Sequence, residues 1–202
     1  MSITIHGQWV LASGSKHRAK QLISAGIHAQ LISPDCDETP VDGEAPQSRA
    51  IRLANTKAGS VVNRCPEGSI IIAGDQVAHM GGHLLRKPGS VERAIEQLSA
   101  SSGQWVSFES AVAVVHHGQS CCELATTRVK FRTLNPDMIE RYIKAERPLD
   151  SAGSFYSEAV GGWLIDAVDS DDPTALVGLP ILTLGRLLRS VGADPLARLP
   201  TA

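Results

Sequence analysis

Residues 69–88 read SIIIAGDQVAHMGGHLLRKP, and the rest of the chain is best understood outward from them. Ile70-Ile71-Ile72-Ala73 is an unbroken apolar, β-branched run, the pattern of a strand buried on both faces. Gly74 and Asp75 follow, so the expected strand ends in a carboxylate. An acid at the end of a buried strand costs free energy unless it is paired, hydrogen-bonded or bound to a cation. The chain continues through Gln76 and Val77, turns at Gly81-Gly82 and returns through Leu84 and Leu85 to Lys87-Pro88. Paired glycines suit a hairpin turn because both accept positive φ. Two readings of Asp75 are open: a turn cap, or a metal-binding or proton-abstracting carboxylate with Lys87 returned beside it.

Composition narrows the function classes. The chain has 202 residues, 43% of them hydrophobic, enough for one large domain or two lobes around a cleft. A net charge of −2 and 4% aromatic residues argue against a nucleic-acid-binding module. No apolar run approaches the roughly 18–20 residues of a membrane span. The opening MSITIHGQWVLAS has no basic segment followed by a long apolar one, so a cytoplasmic chain is expected. Cys36, Cys65, Cys121 and Cys122 are then expected as free, buried thiols, and no C-x-x-C spacing suggests zinc.

Around this stretch, strands and helices interleave. Trp9–Ala12 reads as a strand, Ser13-Gly14-Ser15 as a turn, and Ala19, Leu22 and Ile23 as one face of a helix closed by Gly26. A strand, a small-residue turn and a helix start make an anion-binding geometry, because the first helical N–H groups are free. Arg18 in that first turn opposes the helix dipole unless an anion lies between them. Ala29–Ser33 reads as a short strand. Residues 34–40, PDCDETP, place Asp35, Asp37 and Glu38 in a loop suited to a hard, oxygen-ligated cation.

Residues 45–62 read as a helix in which Lys57 borders the core stripe, either snorkelling outward or reaching into a cleft. Further helices are expected from Ser90 to Ala100, after the Asn135-Pro136 start, and after Pro180 at a first helical position. Val106–Val115 and Cys122–Phe131 form a long hairpin, with His116-His117 flanking its turn and Arg128, Lys130 and Arg132 on one solvated face. Residues 163–166 read as a last strand, 169–173 as an acidic turn, and the tail from Asp194 as frayed. The fold class is α/β, a mixed β-sheet with flanking helices.

Several motifs together resemble the Maf family of nucleoside triphosphate pyrophosphatases: LASGSKHR (11–18), DETP (37–40), LANTKA (53–58), GDQV (74–77), RKP (86–88), AIEQLSASSG (94–103), DSAGSFYSE (150–158) and VGLP (177–180). The resemblance implies one Maf-like domain over 1–202, with two lobes around a cleft, related to the inosine-triphosphate pyrophosphatases. It implies hydrolysis of a nucleoside triphosphate to the monophosphate and pyrophosphate with Mg2+ or Mn2+, and a possible homodimer. Asp75 matches the catalytic carboxylate, Glu38 a second acid holding the cation with it, and Lys57, Lys87 and Arg18 phosphate ligands. Ser13 would donate to phosphate, and His17, Gln76 and Glu158 would surround the base. Gln76 and the GSFYSE stretch resemble the branch acting on 7-methyl-GTP. The alternatives are the dTTP/UTP branch and a nucleotide-binding regulator of cell division with little turnover. His17 stands where a large aromatic is expected for a methylguanine reader.

Overall fold

The computed structural model describes residues 6–199; the expectations for the first five and last three positions lie outside the described residues. In chain order the elements are β1 (Trp9–Ala12), α1 (Lys16–Ser24), β2 (Gln30–Leu31), α2 (Pro46–Val61), β3 (Ile70–Met80), β4 (His83–Leu84), α3 (Val91–Ser101), β5 (Trp105–His116), β6 (Gln119–Phe131), α4 (Pro136–Glu146), β7 (Ile165–Ser170) and α5 (Ile181–Ser190). They build one mixed sheet in the order β2-β1-β3-β5-β6-β7, with β4 paired to β3. The β2-β1-β3 pairs are parallel and the rest antiparallel. No helix of the described residues is long and apolar enough to cross a membrane.

Strand alternation gives the sheet two apolar faces. Ile71, Ala73, Val77, Ala111 and Ala113 point to α2 and meet its stripe of Ala50, Ala54, Ala58 and Val61. The opposite face carries two clusters. Ile70, Ile72, Val112 and Val114 pack with Leu22 of α1 and with Leu184, Leu187 and Leu188 of α5. Ala78, Val106, Phe108 and Phe131 pack with Leu98 of α3 and with Ile139, Tyr142 and Ile143 of α4. The helix starts follow the sequence: Ser15, Ser90 and Asn135 each accept a backbone N–H of the first turn.

Five expectations change. Strand β3 does not stop at Ala73 but continues to Met80, so Gly74-Asp75 lies mid-strand. The reason is two-sided pairing: β5 follows β3 from Ile71 to His79, whereas β1 follows it only to Ala73 before turning away through Ser13. Residues 74–78 therefore present one edge with no strand partner until the Leu85 N–H reaches the Ala78 carbonyl at 2.8 Å. Gly74 serves close packing rather than a turn. A Cβ there would lie 3.2 Å from both the Ala111 carbonyl oxygen and Leu179 Cδ1, and 3.5 Å from Arg18 Nε.

The last strand is displaced from residues 163–166 to Ile165–Ser170, so Asp169 is in the strand, not in a turn. Trp163 instead belongs to the 3₁₀ segment Ala159–Leu164 and is 73% exposed. An edge strand whose residues are mostly exposed gives no apolar alternation to read. Pro180 caps α5 from outside rather than opening it. The tail is held through Leu199: Ala193 is buried, and the Arg198 carbonyl accepts the His6 N–H at 3.1 Å. The cysteines are free but half-buried, and burial pushes the Cys122 thiol up to about 11.

The 3₁₀ turn Pro173–Val177 is fixed by Asp172, which is 1% exposed. Its Oδ1 accepts the Thr174 N–H and hydroxyl at 3.2 and 2.5 Å, and its Oδ2 accepts the Thr183 N–H and hydroxyl at 2.9 and 3.0 Å. Asp172→Ala strips a cap and leaves buried donors unmet, so a loss of about 2–4 kcal/mol is expected. Urea denaturation checks it; an unchanged midpoint would show that the turn does not need the carboxylate.

Candidate active site

A cleft of about 820 Å³ opens at the unpaired edge of β3. Asp75 points to the α2 face, where Lys57 meets it with Nζ 2.6 Å from Oδ1. Both residues are buried, at 8% and 7% exposure. Lys57 Nζ is also 3.2 Å from Glu38 Oε2, so one ammonium bridges two carboxylates. Lys57 thus reaches into the cleft rather than snorkelling to solvent.

Glu38 sits on an exposed loop that α2 holds in place. Arg49 Nη2 donates to the Glu38 carbonyl at 3.0 Å, and Arg52 grips the Glu44 carboxylate with two bonds of 2.6 and 2.7 Å. The Thr39 N–H donates to Asp37 Oδ1 at 2.8 Å, and Thr39 holds the Asp37 carboxyl below its usual value. Asp37 shapes the loop, while Glu38 supplies the acid that faces the cleft.

The opposite wall is the start of α1. Ser15 N–H donates to Ser13 Oγ at 3.1 Å, and Ser13 Oγ lies 3.5 Å from Arg18 Nη1. A hydroxyl that accepts twice keeps its own proton to donate. Arg18 Nε donates to the Gly178 carbonyl at 2.8 Å, which turns the guanidinium across the cleft. Burial pulls this group below its usual pKa, opposed by Asp75 and Glu38, and an arginine stays cationic at neutral pH regardless. Lys87 is exposed on the return from β4 and lines the same cleft.

A side pocket of about 120 Å³ adjoins the cleft and shares His17, Arg18, Gln76, Lys87 and Asp150 with it. His17 stacks on Tyr156, with ring centroids 4.9 Å apart and planes at 22°, and its Nδ1 is 3.7 Å from Glu158 Oε1. The Tyr156 hydroxyl donates to Asp150 Oδ1, and its backbone N–H donates to the Tyr142 hydroxyl at 2.9 Å. Burial and the Asp150 carboxylate push the Tyr156 phenol far up, so it is a donor at neutral pH. The geometry thus adds Tyr156, Asp150 and Arg49 to the residues expected from sequence. Tyr156 and Asp150 lie in an irregular loop with no periodicity to aim them, although they stand within the DSAGSFYSE stretch.

Gln76 lines both the cleft and the side pocket, while its amide nitrogen turns to the sheet and the 173–177 turn. Its Nε2 donates to Ser110 Oγ at 2.9 Å and to the Ala175 and Leu176 carbonyls at 3.0 and 3.4 Å. The amide nitrogen is spent on tying the 173–177 turn to the sheet. Asp75, Glu38, Lys57, Lys87, Ser13, Arg18, His17 and Gln76 line the cleft, whereas Glu158 reaches only the side pocket. Among the described residues no three His, Cys, Asp or Glu side chains are grouped to hold a metal ion.

Residues 8–191 match the family described as Maf-like protein. The chain belongs to the Maf family. It is 45% identical over 187 residues to a protein of Burkholderia thailandensis named 7-methyl-GTP pyrophosphatase, covering 91% of this chain and 87% of that one. A protein of the same name from Aromatoleum aromaticum is 48% identical over 93% of this chain and 97% of its own length. Another, from Bordetella pertussis, is 44% identical over 95% and 96%. Among solved structures, the Staphylococcus aureus Ham1 protein aligns with a TM-score of 0.44 at 18% identity, over 62% of this chain and 72% of that one.

The Tyr156 hydrogen bond holds the Asp150 carboxyl below its ordinary value. A depressed folded-state pKa contributes stability above the unfolded value, about 4, and that stability is lost as pH falls through the folded value. Tyr156→Phe is therefore expected to melt below wild type at pH 7, with the difference narrowing on acidification below about pH 4. Thermal melts across pH check this; a difference independent of pH would remove Asp150 as the partner that matters.

Proposed function

We propose that this Maf-family chain hydrolyses a nucleoside triphosphate to the monophosphate and pyrophosphate, with a modified guanine nucleotide such as 7-methyl-GTP as substrate. The observation that carries the reading is the Lys57 ammonium bridging Asp75 and Glu38 in an open cleft flanked by Arg18 and Lys87. A triphosphate is a dense anion, and cations on facing walls are what holds one in place. The name shared by the Burkholderia, Aromatoleum and Bordetella relatives supports the choice of nucleotide.

In this reading Asp75 accepts the proton of the water that attacks the α-phosphorus. Lys57 holds Asp75 oriented beforehand, at 2.6 Å from its Oδ1. Arg18 and Lys87 bind phosphate oxygens and stabilise charge on the departing pyrophosphate, and Ser13 donates a further hydrogen bond. Glu38 and Asp75 are hard oxygen donors brought together on the Lys57 ammonium, and they are the residues that would hold a divalent cation. Such a pair suits Mg2+ or Mn2+, which commonly take one or two carboxylates and complete their shell with waters and substrate phosphates. Once bound, the ion would polarise the phosphate and lower the pKa of the attacking water. In the side pocket, the Glu158 carboxylate can accept from the N1–H and exocyclic amine of a guanine. Tyr156 and His17 offer ring faces; a methylated purine cation is well served by aromatic and acidic neighbours.

Pyrophosphate release from a panel of nucleotides, including 7-methyl-GTP, dTTP and UTP, tests the substrate. Greatest kcat/KM on 7-methyl-GTP is expected, with loss of turnover on chelation by EDTA. Preference for dTTP and UTP would overturn the base assignment. Asp75→Asn is expected to lower kcat by about 10²–10⁴, the usual scale for a general base. Turnover near wild type would remove Asp75 from that role.

A further inference from the structure

Glu109 on β5 is 1% exposed and takes no part in the chemistry above. It pairs with Val77 across the sheet and lies on the α2 face. Its carboxylate accepts three hydrogen bonds: from Gln47 Nε2 at 2.8 Å and His79 Nε2 at 3.0 Å on Oε1, and from the Thr126 hydroxyl at 2.6 Å on Oε2. The other nitrogen of the His79 ring is also engaged. Its Nδ1 accepts the Gly82 N–H at 3.3 Å. Only the tautomer with the proton on Nε2 satisfies both partners. Glu109 therefore selects the His79 tautomer and ring orientation that hook the β3-β4 turn.

The consequences reach the cleft along the backbone. Gly82 ends the turn just before the return strand, and the Leu85 N–H then docks on the Ala78 carbonyl at 2.8 Å. The Leu85 carbonyl in turn accepts the Gly153 N–H at 3.0 Å, joining the return to the loop that carries Asp150 and Tyr156. Lys87 stands two residues beyond Leu85. Packing alone needs no acid at this place, since apolar groups of similar volume stabilise a buried site as well as a buried polar set. What the acid adds is orientation.

We propose that Glu109, acting through His79, is a positioning residue for nucleotide binding: it sets the β3-β4 hairpin so that Lys87 faces the triphosphate. The proposal rests on the reading of Lys87 as a phosphate ligand. Glu109→Met keeps the length of the side chain but removes both acceptor oxygens, so Gln47, His79 and Thr126 lose their common partner. His79 then loses its fixed tautomer and releases Gly82.

The test is steady-state kinetics on 7-methyl-GTP with Mg2+, in a double-mutant cycle, together with 15N spectra of the histidine ring nitrogens. Glu109→Met is expected to raise KM about tenfold with kcat within about threefold, as for lost ground-state binding. His79→Phe keeps a ring without either hydrogen bond and should do the same; it decides the matter if Glu109→Met does not fold. In a Lys87→Ala background neither substitution should raise KM further, because residues acting through one contact are not additive. KM within twofold of wild type in both single variants, or equal losses with and without Lys87, would overturn the proposal. The His79 signals, read without substrate, should leave the Nε2–H pattern in Glu109→Met; an unchanged pattern also overturns it. A wild-type protein inactive on every nucleotide would sink the proposed function instead, and the nitrogen spectra would still decide whether Glu109 holds His79.

Discussion

The contact between Lys57 and Asp75 is the constraint around which the cleft is arranged. An ionised carboxylate in the middle of a central strand is tolerable only if its desolvation is answered locally. Lys57 answers it at 2.6 Å, from a helix position that is otherwise part of the apolar stripe packed on the sheet. Removing one member of a buried pair of this kind costs about 3–5 kcal/mol, because the other is stranded. The register of α2 on β3 is therefore set by charge as well as by Ala50, Ala54 and Ala58. Once that register is set, Arg49 and Arg52 follow on the same helix and fix the loop that brings Glu38 to the shared ammonium.

The second constraint is topological. Sheet strands are usually covered on both edges; β3 is covered by β5 along nearly its whole length, yet by β1 only at its start and β4 only at its end. The interval between them is where the chain of β1 leaves to form the α1 terminus. Functional groups then gather from three directions without any element being distorted. Asp75 and Gln76 come from the strand, Ser13 to Arg18 from the departing chain, and Lys87 from the returning hairpin. Ligand sites at the place where strand neighbours part are a general feature of open α/β sheets.

Much of this was legible in the sequence, for identifiable reasons. Helix starts were marked by Ser15, Ser90 and Asn135, whose side chains cap as expected. The mixed sheet followed from the buried β-branched run and the long hairpin. The mid-strand position of Asp75 was not legible, because glycine followed by aspartate is also turn chemistry and only the pairing with β5 keeps the strand going. The last strand was read at 163–166 instead of Ile165–Ser170 because an exposed edge carries no buried alternation. Tyr156, Asp150 and Arg49 were out of reach for a different reason. Irregular loops and long side chains are placed by tertiary contacts, such as the Tyr142 hydroxyl meeting the Tyr156 backbone, that leave no local signature.

Gln76 lines the cleft and the side pocket and also ties the turn behind them to the sheet. Its amide nitrogen is committed to Ser110 and to two carbonyls of the 173–177 turn, and that turn is fixed from its other side by Asp172. The same region supplies the Gly178 carbonyl that aims Arg18, and the Thr174 and Leu179 carbonyls that hold Gln21 of α1 at 2.9 and 3.1 Å. A shorter side chain at position 76 would leave Ser110 and the turn without their common donor. The turn would then be free to settle elsewhere and carry Leu176 and Val177, which line the side pocket, along with it. The side pocket is thus tied to the sheet from beneath, by the hydrogen bonds of Gln76 and Ser110 to the turn above them.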